Sequence, residues 1–227
     1  MPVISGVTLN LDAEQVLRRM KTGSAPGTQP KLRALLEECL EALTGLTEPR
    51  FVYEILPVAD GPSPDPATKR KKLGGMSVPP QLRSSVKLGL VVCTIGPTLE
   101  RQASEYFARG EPLRAILLDS IGNAALQALT KEALQQVGRE AKVEGLVSSP
   151  LVKPGALCWP ISNQKHLFRL VSPERIGVSL TDGLVMSPRK STSFAVGLGI
   201  ALPAWMPGEA CNRCSMGRIC GYRVRPA

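Results

Sequence analysis

The sequence predicts an α+β fold. Its helical and strand-like stretches run helix, helix, strand, strand, helix, helix, helix, strand, strand, an order that does not build a regular parallel βαβ array. The 227-residue length allows a substantial core in one large domain or two small ones, and a hydrophobic content of 43% supports a folded chain. A third observation bounds the fold at its end: Cys211, Cys214 and Cys220 fall close together in a Gly- and Arg-rich tail. The chain therefore divides into an α+β domain over 1–203 and a cysteine-rich tail over 204–227.

The elements run in order. Asp12 is an N-cap residue ahead of apolar positions at helical spacing up to Met20, and a polar Gly/Pro-rich break over 22–30 ends that helix. Leu32, Leu35, Leu36, Cys39, Leu40 and Leu43 define an amphipathic helix over 31–46. Phe51-Val-Tyr-Glu-Ile-Leu56 has strand composition. Residues 59–85 hold many prolines, the run Lys69-Arg-Lys-Lys72 and Gly74-Gly75, which predicts a mobile connection or a loosely packed hairpin. The β-branched run ending at Cys93-Thr94 is a buried strand, and Gly96-Pro97 turns it into a helix beginning near Thr98. This turn lacks the Gly-rich phosphate fingerprint.

The strongest helical stretch spans 112–143. Within it, Asp119 and Gly122 mark either a buried, hydrogen-bonded acid where another element approaches or a helix contact that needs a small residue. Residues 147–160 read as an irregular loop able to line a site. A helix over 164–170 comes next, then strands over 176–180 and 193–200 on either side of a turn.

No stretch of eighteen apolar residues occurs and the N-terminus lacks the regions of a signal peptide, so the expectation is a cytoplasmic protein without a membrane partner. A net charge of +9 raises nucleic acid as a partner, but only 69–72 is a compact basic run and aromatics are 4%, too few for a stacking platform. The charge suits an acidic protein partner or an anionic cofactor equally well. His-Glu-x-x-His, Gly-x-Ser-x-Gly and phosphate-loop motifs are all missing, and the chain has one histidine, so no catalytic residue is assigned.

Two residues between Cys211 and Cys214 let both sulfurs converge on one ion or cluster, and a five-residue loop returns Cys220 to the same point. Reducing conditions in the cytoplasm favour thiolate ligation over disulfides. Soft thiolates accept either zinc or an iron–sulfur cluster, and each usually wants a fourth ligand. Cys158 and His166 are candidates in this chain, with a partner subunit or exogenous ligand as the other route. A lone histidine between Lys165 and Leu167 is otherwise a solvated helix residue, and Cys39 and Cys93 read as small core residues. Met186-Ser-Pro-Arg-Lys190-Ser191-Thr-Ser193 places a proline turn, a cation and hydroxyls before a Gly-rich strand, either holding a polar or anionic ligand or forming a capped surface hairpin.

Pro154-Gly155, Trp159-Pro160, Gln164, Leu167-Phe168, Ile176-Gly177-Val178-x-Leu180-Thr181 and Met186-x-Pro188-x-Lys190-Ser191-x-Ser193, in that order, resemble the activation domain of cobalamin-dependent methionine synthase. Thr94-Ile95-Gly96, Leu118-Asp119-x-x-Gly122 and Pro49-Arg50-x-Val52-Tyr53 fit the same pattern, so the resemblance covers about 11–200. The cysteine cluster followed by Tyr222-Arg223 is similar to what short stand-alone members carry. The resemblance implies a curved antiparallel sheet with flanking helices. It also implies reductive reactivation of a corrinoid protein or cobalamin-dependent methyltransferase, with inactive cob(II) returned to cob(I). An electron-donor protein and S-adenosylmethionine would take part, and Lys153, Pro154, Gly155, Met186, Lys190, Ser191 and Ser193 would line the cofactor site.

The chain departs from the family's Arg-x-x-x-Gly-Tyr loop, reading Leu151-Val-Lys-Pro-Gly155-Ala156. The bidentate contact to a methionine carboxylate and the aromatic wall are both absent, and Lys153 supplies charge without fork geometry. Two functions remain in view: a reactivation factor whose cysteines carry the electron, or a non-catalytic corrinoid-protein binding or assembly subunit with structural zinc.

Overall fold

The computed structural model describes residues 1–20, 29–58, 72–156 and 159–202. Its elements in chain order are β1 (Val3–Ser5), α1 (Ala13–Met20), α2 (Gln29–Glu41), α3 (Leu43–Leu46), β2 (Arg50–Pro57), β3 (Lys72–Leu73) and β4 (Met76–Ser77). Then come β5 (Lys87–Thr94), α4 (Thr98–Ala108), α5 (Pro112–Val143), β6 (Val147–Val152), α6 (Asn163–Val171), β7 (Ser179–Leu180), β8 (Met186–Ser187) and β9 (Ser191–Gly199). Five strands form one antiparallel sheet in the order β1-β2-β5-β9-β6; β3-β4 and β7-β8 are separate two-stranded hairpins.

Strand alternation gives the sheet two apolar faces, each with its own core. Phe51, Tyr53, Val91, Cys93, Phe194 and Val196 face helices α1, α2, α4 and α5. Val52, Leu88, Leu90, Val92, Val152 and Ala195 face α6, the β3-β4 hairpin and the 3-10 turn Pro173–Ile176. Helix α5 buries Leu118, Ile121, Ala125, Leu129, Ala133, Val137 and Ala141 at intervals of three and four, the spacing of one helical stripe. It lies close to the sheet because Gly89 has no side chain: a Cβ there would sit 2.6 Å from Val137 Cγ1.

The helix expected over 31–46 is two pieces, Gln29–Glu41 and Leu43–Leu46, interrupted at Ala42; the second is kept short by Thr44 and Gly45, poor helix formers, and is closed where the Thr47 hydroxyl donates back to the Leu43 carbonyl at 3.0 Å. The loop expected at 147–160 begins instead as edge strand β6, paired to β9 with a register shift between Ser148 and Leu151. An edge position tolerates Pro150, which has no N–H to give the ladder. The strand expected over 176–180 keeps only Ser179–Leu180; Pro173–Ile176 is a 3-10 turn closed by Gly177 at φ 73°. Strand β1 escapes the sequence reading altogether.

Of the connection expected over 59–85, residues 59–71 lie outside the described residues, and the remainder forms the packed β3-β4 hairpin and a 3-10 turn. Met76, Val78 and Leu82 are buried. The Ser77 N–H and hydroxyl both donate to Asn163 Oδ1, at 2.8 and 3.0 Å, and Trp159 Nε1 donates to the Ser77 carbonyl at 2.8 Å. Among the described residues no helix is long and apolar enough to cross a membrane.

Cys39 and Cys93 are free, buried thiols in the helix-side core. Burial pushes both thiols up from the ordinary value of 9.0, Cys93 far more strongly, while burial and the Glu140 contact push the Tyr53 phenol up. An unfolded chain ionises its thiols near pH 9 while the folded one keeps these protonated. The stability they contribute is thus complete below that pH and is lost as pH rises beyond it. Chemical denaturation of Cys93→Ala should show the same pH slope as wild type below pH 8. Above pH 9 its stability should fall less steeply, by up to about 1.4 kcal/mol per pH unit.

Candidate functional site

Lys190 immediately precedes β9, with only 11% of its side chain exposed. Its Nζ donates to Asp119 Oδ1 at 2.6 Å and to Asn123 Oδ1 at 2.7 Å, and Asn123 Nδ2 donates to Asp119 Oδ2 at 3.1 Å. Both partners lie one turn apart on α5, which is why a single ammonium meets them together. Gly122, between them, makes room: a Cβ there would stand 2.8 Å from Leu99 Cδ2 and 3.3 Å from Lys190 Cε. The two sequence readings of Asp119 and Gly122 are thereby resolved. Gly122 is where α4 and a lysine stem approach, and Asp119 is hydrogen-bonded but 57% exposed rather than buried.

A cleft of about 980 Å³ runs along the α4–α5 surface beside this cluster, with Glu100, Phe107, Ile116, Leu126 and Arg189 among its walls. The Arg189 N–H donates to the Glu100 carboxylate at 3.1 Å, tying the segment before β9 to the first turn of α4.

Ser191 and Ser193 point to the other face. The Ser191 hydroxyl donates to Thr94 Oγ1 at 2.9 Å; the Ser193 hydroxyl donates to Gln164 Oε1 at 3.5 Å, and Gln164 Nε2 donates to the Leu184 carbonyl at 3.1 Å. These are internal ties holding β5, α6 and the turn before β8. Met186, on β8, packs against the second core. The fold therefore divides the 186–193 group between two sides of the sheet, with Arg189 and Lys190 beside the cleft.

Lys153, Pro154 and Gly155 form the turn leaving β6. Gly155 has φ 86°, and its N–H donates to the Trp159 carbonyl at 2.8 Å. Leu151 packs against the helix-side core and Val152 lies in the other, so alternation aims Lys153 toward the helix side near Cys93. Desolvation, opposed by the Cys93 charge, holds the Lys153 ammonium below the ordinary lysine value although part of its side chain reaches solvent.

Cys211, Cys214, Cys220 and Cys158 lie outside the described residues. Among the described residues no group of three or more His, Cys, Asp or Glu side chains could hold a metal. His166, the other candidate ligand, is half-buried rather than solvated; its Nδ1 is sealed without a hydrogen-bond partner under the hairpin turn, where a Cβ on Gly75 would lie 3.0 Å away. The Lys190–Asp119–Asn123 contact is not legible in the sequence, since its members lie 67 and 71 residues apart. The glycine inside an apolar helix is its one visible trace.

With this geometry in view, the chain is similar in structure to the MetH reactivation domain, solved bound to AdoHcy. The TM-score is 0.60 at 12% sequence identity, over 93% of this chain and 83% of that one. The chain has the fold of that domain. The likeness bears out the α+β class, with its antiparallel sheet and flanking helices. No protein-family model matches the chain, and no curated protein matches it in sequence.

The Lys190 pair is asymmetric, and that asymmetry is measurable. Removing the carboxylate leaves a nearly buried ammonium with one neutral acceptor, whereas removing the lysine leaves a carboxylate that water can already reach. Asp119→Ala should lower unfolding free energy by about 1–3 kcal/mol and Lys190→Met by less. Equal losses in thermal or urea unfolding would show that the pair is not a buried anchor.

Proposed function

We infer that the chain serves in reductive reactivation of a corrinoid protein or cobalamin-dependent methyltransferase, docking on the partner so that cob(II) accepts one electron and becomes cob(I). The observation that carries this reading is the extent of the structural match, most of both chains, to a domain whose described role is MetH reactivation. A partner that retains its own cobalamin asks this chain for a docking surface and an electron route, which suits a chain with no assembled catalytic constellation among its described residues.

The β6 turn does not fit S-adenosylmethionine in the manner of the family's loop. Leu151 is committed to the helix-side core and Ala156 offers no aromatic wall, so no carboxylate fork stands there. Lys153 adds a cation from a partly desolvated position, with no planar pair of donors. The electron, and not a methyl group, is therefore routed through this chain's own residues. Cys211, Cys214 and Cys220 are the proposed holders of an iron–sulfur cluster, with Cys158, which precedes the buried Trp159 in sequence, as the fourth thiolate. The internal hydrogen bonds of Ser191 and Ser193 make them positioning residues for the sheet. Lys190 would act at the cleft wall.

The full chain, purified without oxygen and mixed with a cobalamin-dependent methyltransferase poised in the cob(II) state, should co-elute with it and yield the cob(I) absorption on addition of a reductant. Cys211→Ser with Cys214→Ser should still co-elute and lose the reduction. Failure to bind either cobalt state would remove the reading. A colourless protein holding one zinc and no reducible chromophore would replace it with the binding or assembly subunit.

Leu151 generates a second expectation. Leu151→Arg should destabilise the fold by placing a guanidinium against an apolar core, with no gain in calorimetric binding of S-adenosylhomocysteine. A saturable gain would show that the position opens toward a ligand after all.

A further inference from the structure

We propose that a notch between the β3-β4 hairpin and Trp159 is the receptor for this chain's own segment 203–209, which anchors the cysteine tail to the domain. The notch has a volume of about 240 Å³ and is walled by Pro79, Pro80, Pro160 and Trp159, with Arg83 at its side. That is smaller than the roughly 300–1,000 Å³ of small-molecule pockets, and suits a single large side chain. Its chemistry is unusual in being unfinished. Among the described residues the Arg83 guanidinium makes no hydrogen bond or ion pair, and its Nε is shielded from water. An arginine nitrogen withdrawn from water without an acceptor is unfavourable and calls for a carboxylate.

The chain itself supplies the complement. The described residues end at Leu202, whose side chain approaches Gly199; a Cβ on that glycine would also lie 3.8 Å from the carbonyl of Ser84, the residue after Arg83. The chain thus leaves the fold beside the notch. The sequence continues as Pro203-Ala-Trp205-Met-Pro207-Gly-Glu209, and Glu209 is the only acidic side chain between Pro203 and the C-terminus. Three extended residues span about 10 Å and seven about 24 Å, enough to bring Trp205 to the proline walls and Glu209 to Arg83. An indole ring buries about 150–250 Å² against such walls, and a guanidinium over its face adds attraction. Cys211 comes two residues after Glu209, so this docking starts the cysteine motif at the edge of the turn that ends in Trp159.

The test uses the full chain under reducing conditions, reading the emission of Trp205 by difference from Trp205→Phe and the rate of trypsin cleavage after Arg213. The expected result is a blue-shifted Trp205 and slow cleavage. Glu209→Arg should red-shift the emission and speed cleavage about fivefold or more, and Arg83→Glu combined with Glu209→Arg should restore both. A variant with Cys211, Cys214 and Cys220 all changed to Ser should keep the blue shift, which separates docking from cluster formation. Solvent-exposed Trp205 emission in the wild type, or no response to Glu209→Arg, would overturn the proposal. Protection that grows with protein concentration would overturn it too, by making the occupant a second copy. Failure of corrinoid binding would leave these readouts unchanged.

Discussion

Strand β9 is buried along all nine of its residues, and its two faces are built from side chains of different size. Phe194, Val196 and Leu198 fill the space under the helices, while Ser191, Ser193, Ala195, Gly197 and Gly199 present almost nothing to the other side. The small face is required by what stands against it. A Cβ on Gly197 would lie 2.1 Å from Ser85 Oγ and 3.3 Å from Ser149 Oγ, and the Gly197 N–H donates to that Ser149 hydroxyl at 2.9 Å. The bulge of β6 and the segment before β5 therefore close over a strand that has been kept thin for them. Lys190, immediately before this strand, is carried to α5 by the same pairing that fixes Ser191 against Thr94.

This arrangement explains which parts of the fold can be read in the sequence. Helix α5 is legible to its ends because its apolar stripe repeats along its 32 residues and Pro112 marks its start. Strand β5 is legible because seven consecutive buried residues leave a continuous apolar run. Strand β6 is not, because an edge strand with a bulge carries serine and proline where an interior strand would carry valine. The run 176–180 misleads for the opposite reason: Ile176 and Val178 are buried in the second core without joining the main sheet, and only Ser179–Leu180 pairs, in a separate hairpin with β8. The overall architecture is carried by the order of short motifs, which survives where periodicity is interrupted.

The candidate site is less legible than the fold. Residues grouped in sequence at 186–193 alternate across the sheet, so a loop that looks like one polar cluster becomes a lysine on one side and two structural hydroxyls on the other. Alternation also decides Leu151. The position where the resembling family has arginine faces the helix core here, and a side chain in that direction is selected for packing rather than for a soluble anion. Leu151 and Ala156 are consistent with each other: one packs against a core and the other leaves the turn without a ring.

Arg83 and Lys190 show how differently two partly buried cations can be treated. Lys190 has an acid and an amide aligned on one helix face, contacts that rigid backbone holds in place whatever else the protein binds. Arg83 has three prolines and a tryptophan beside it, none of which can accept its protons through a side chain. Shielding the Arg83 Nε from water without an acceptor is unfavourable, and an element that covers the notch lowers that cost if it brings an acceptor with it. On the docking proposed above, segment 203–209, with one large aromatic residue and one acid, would meet both conditions at once.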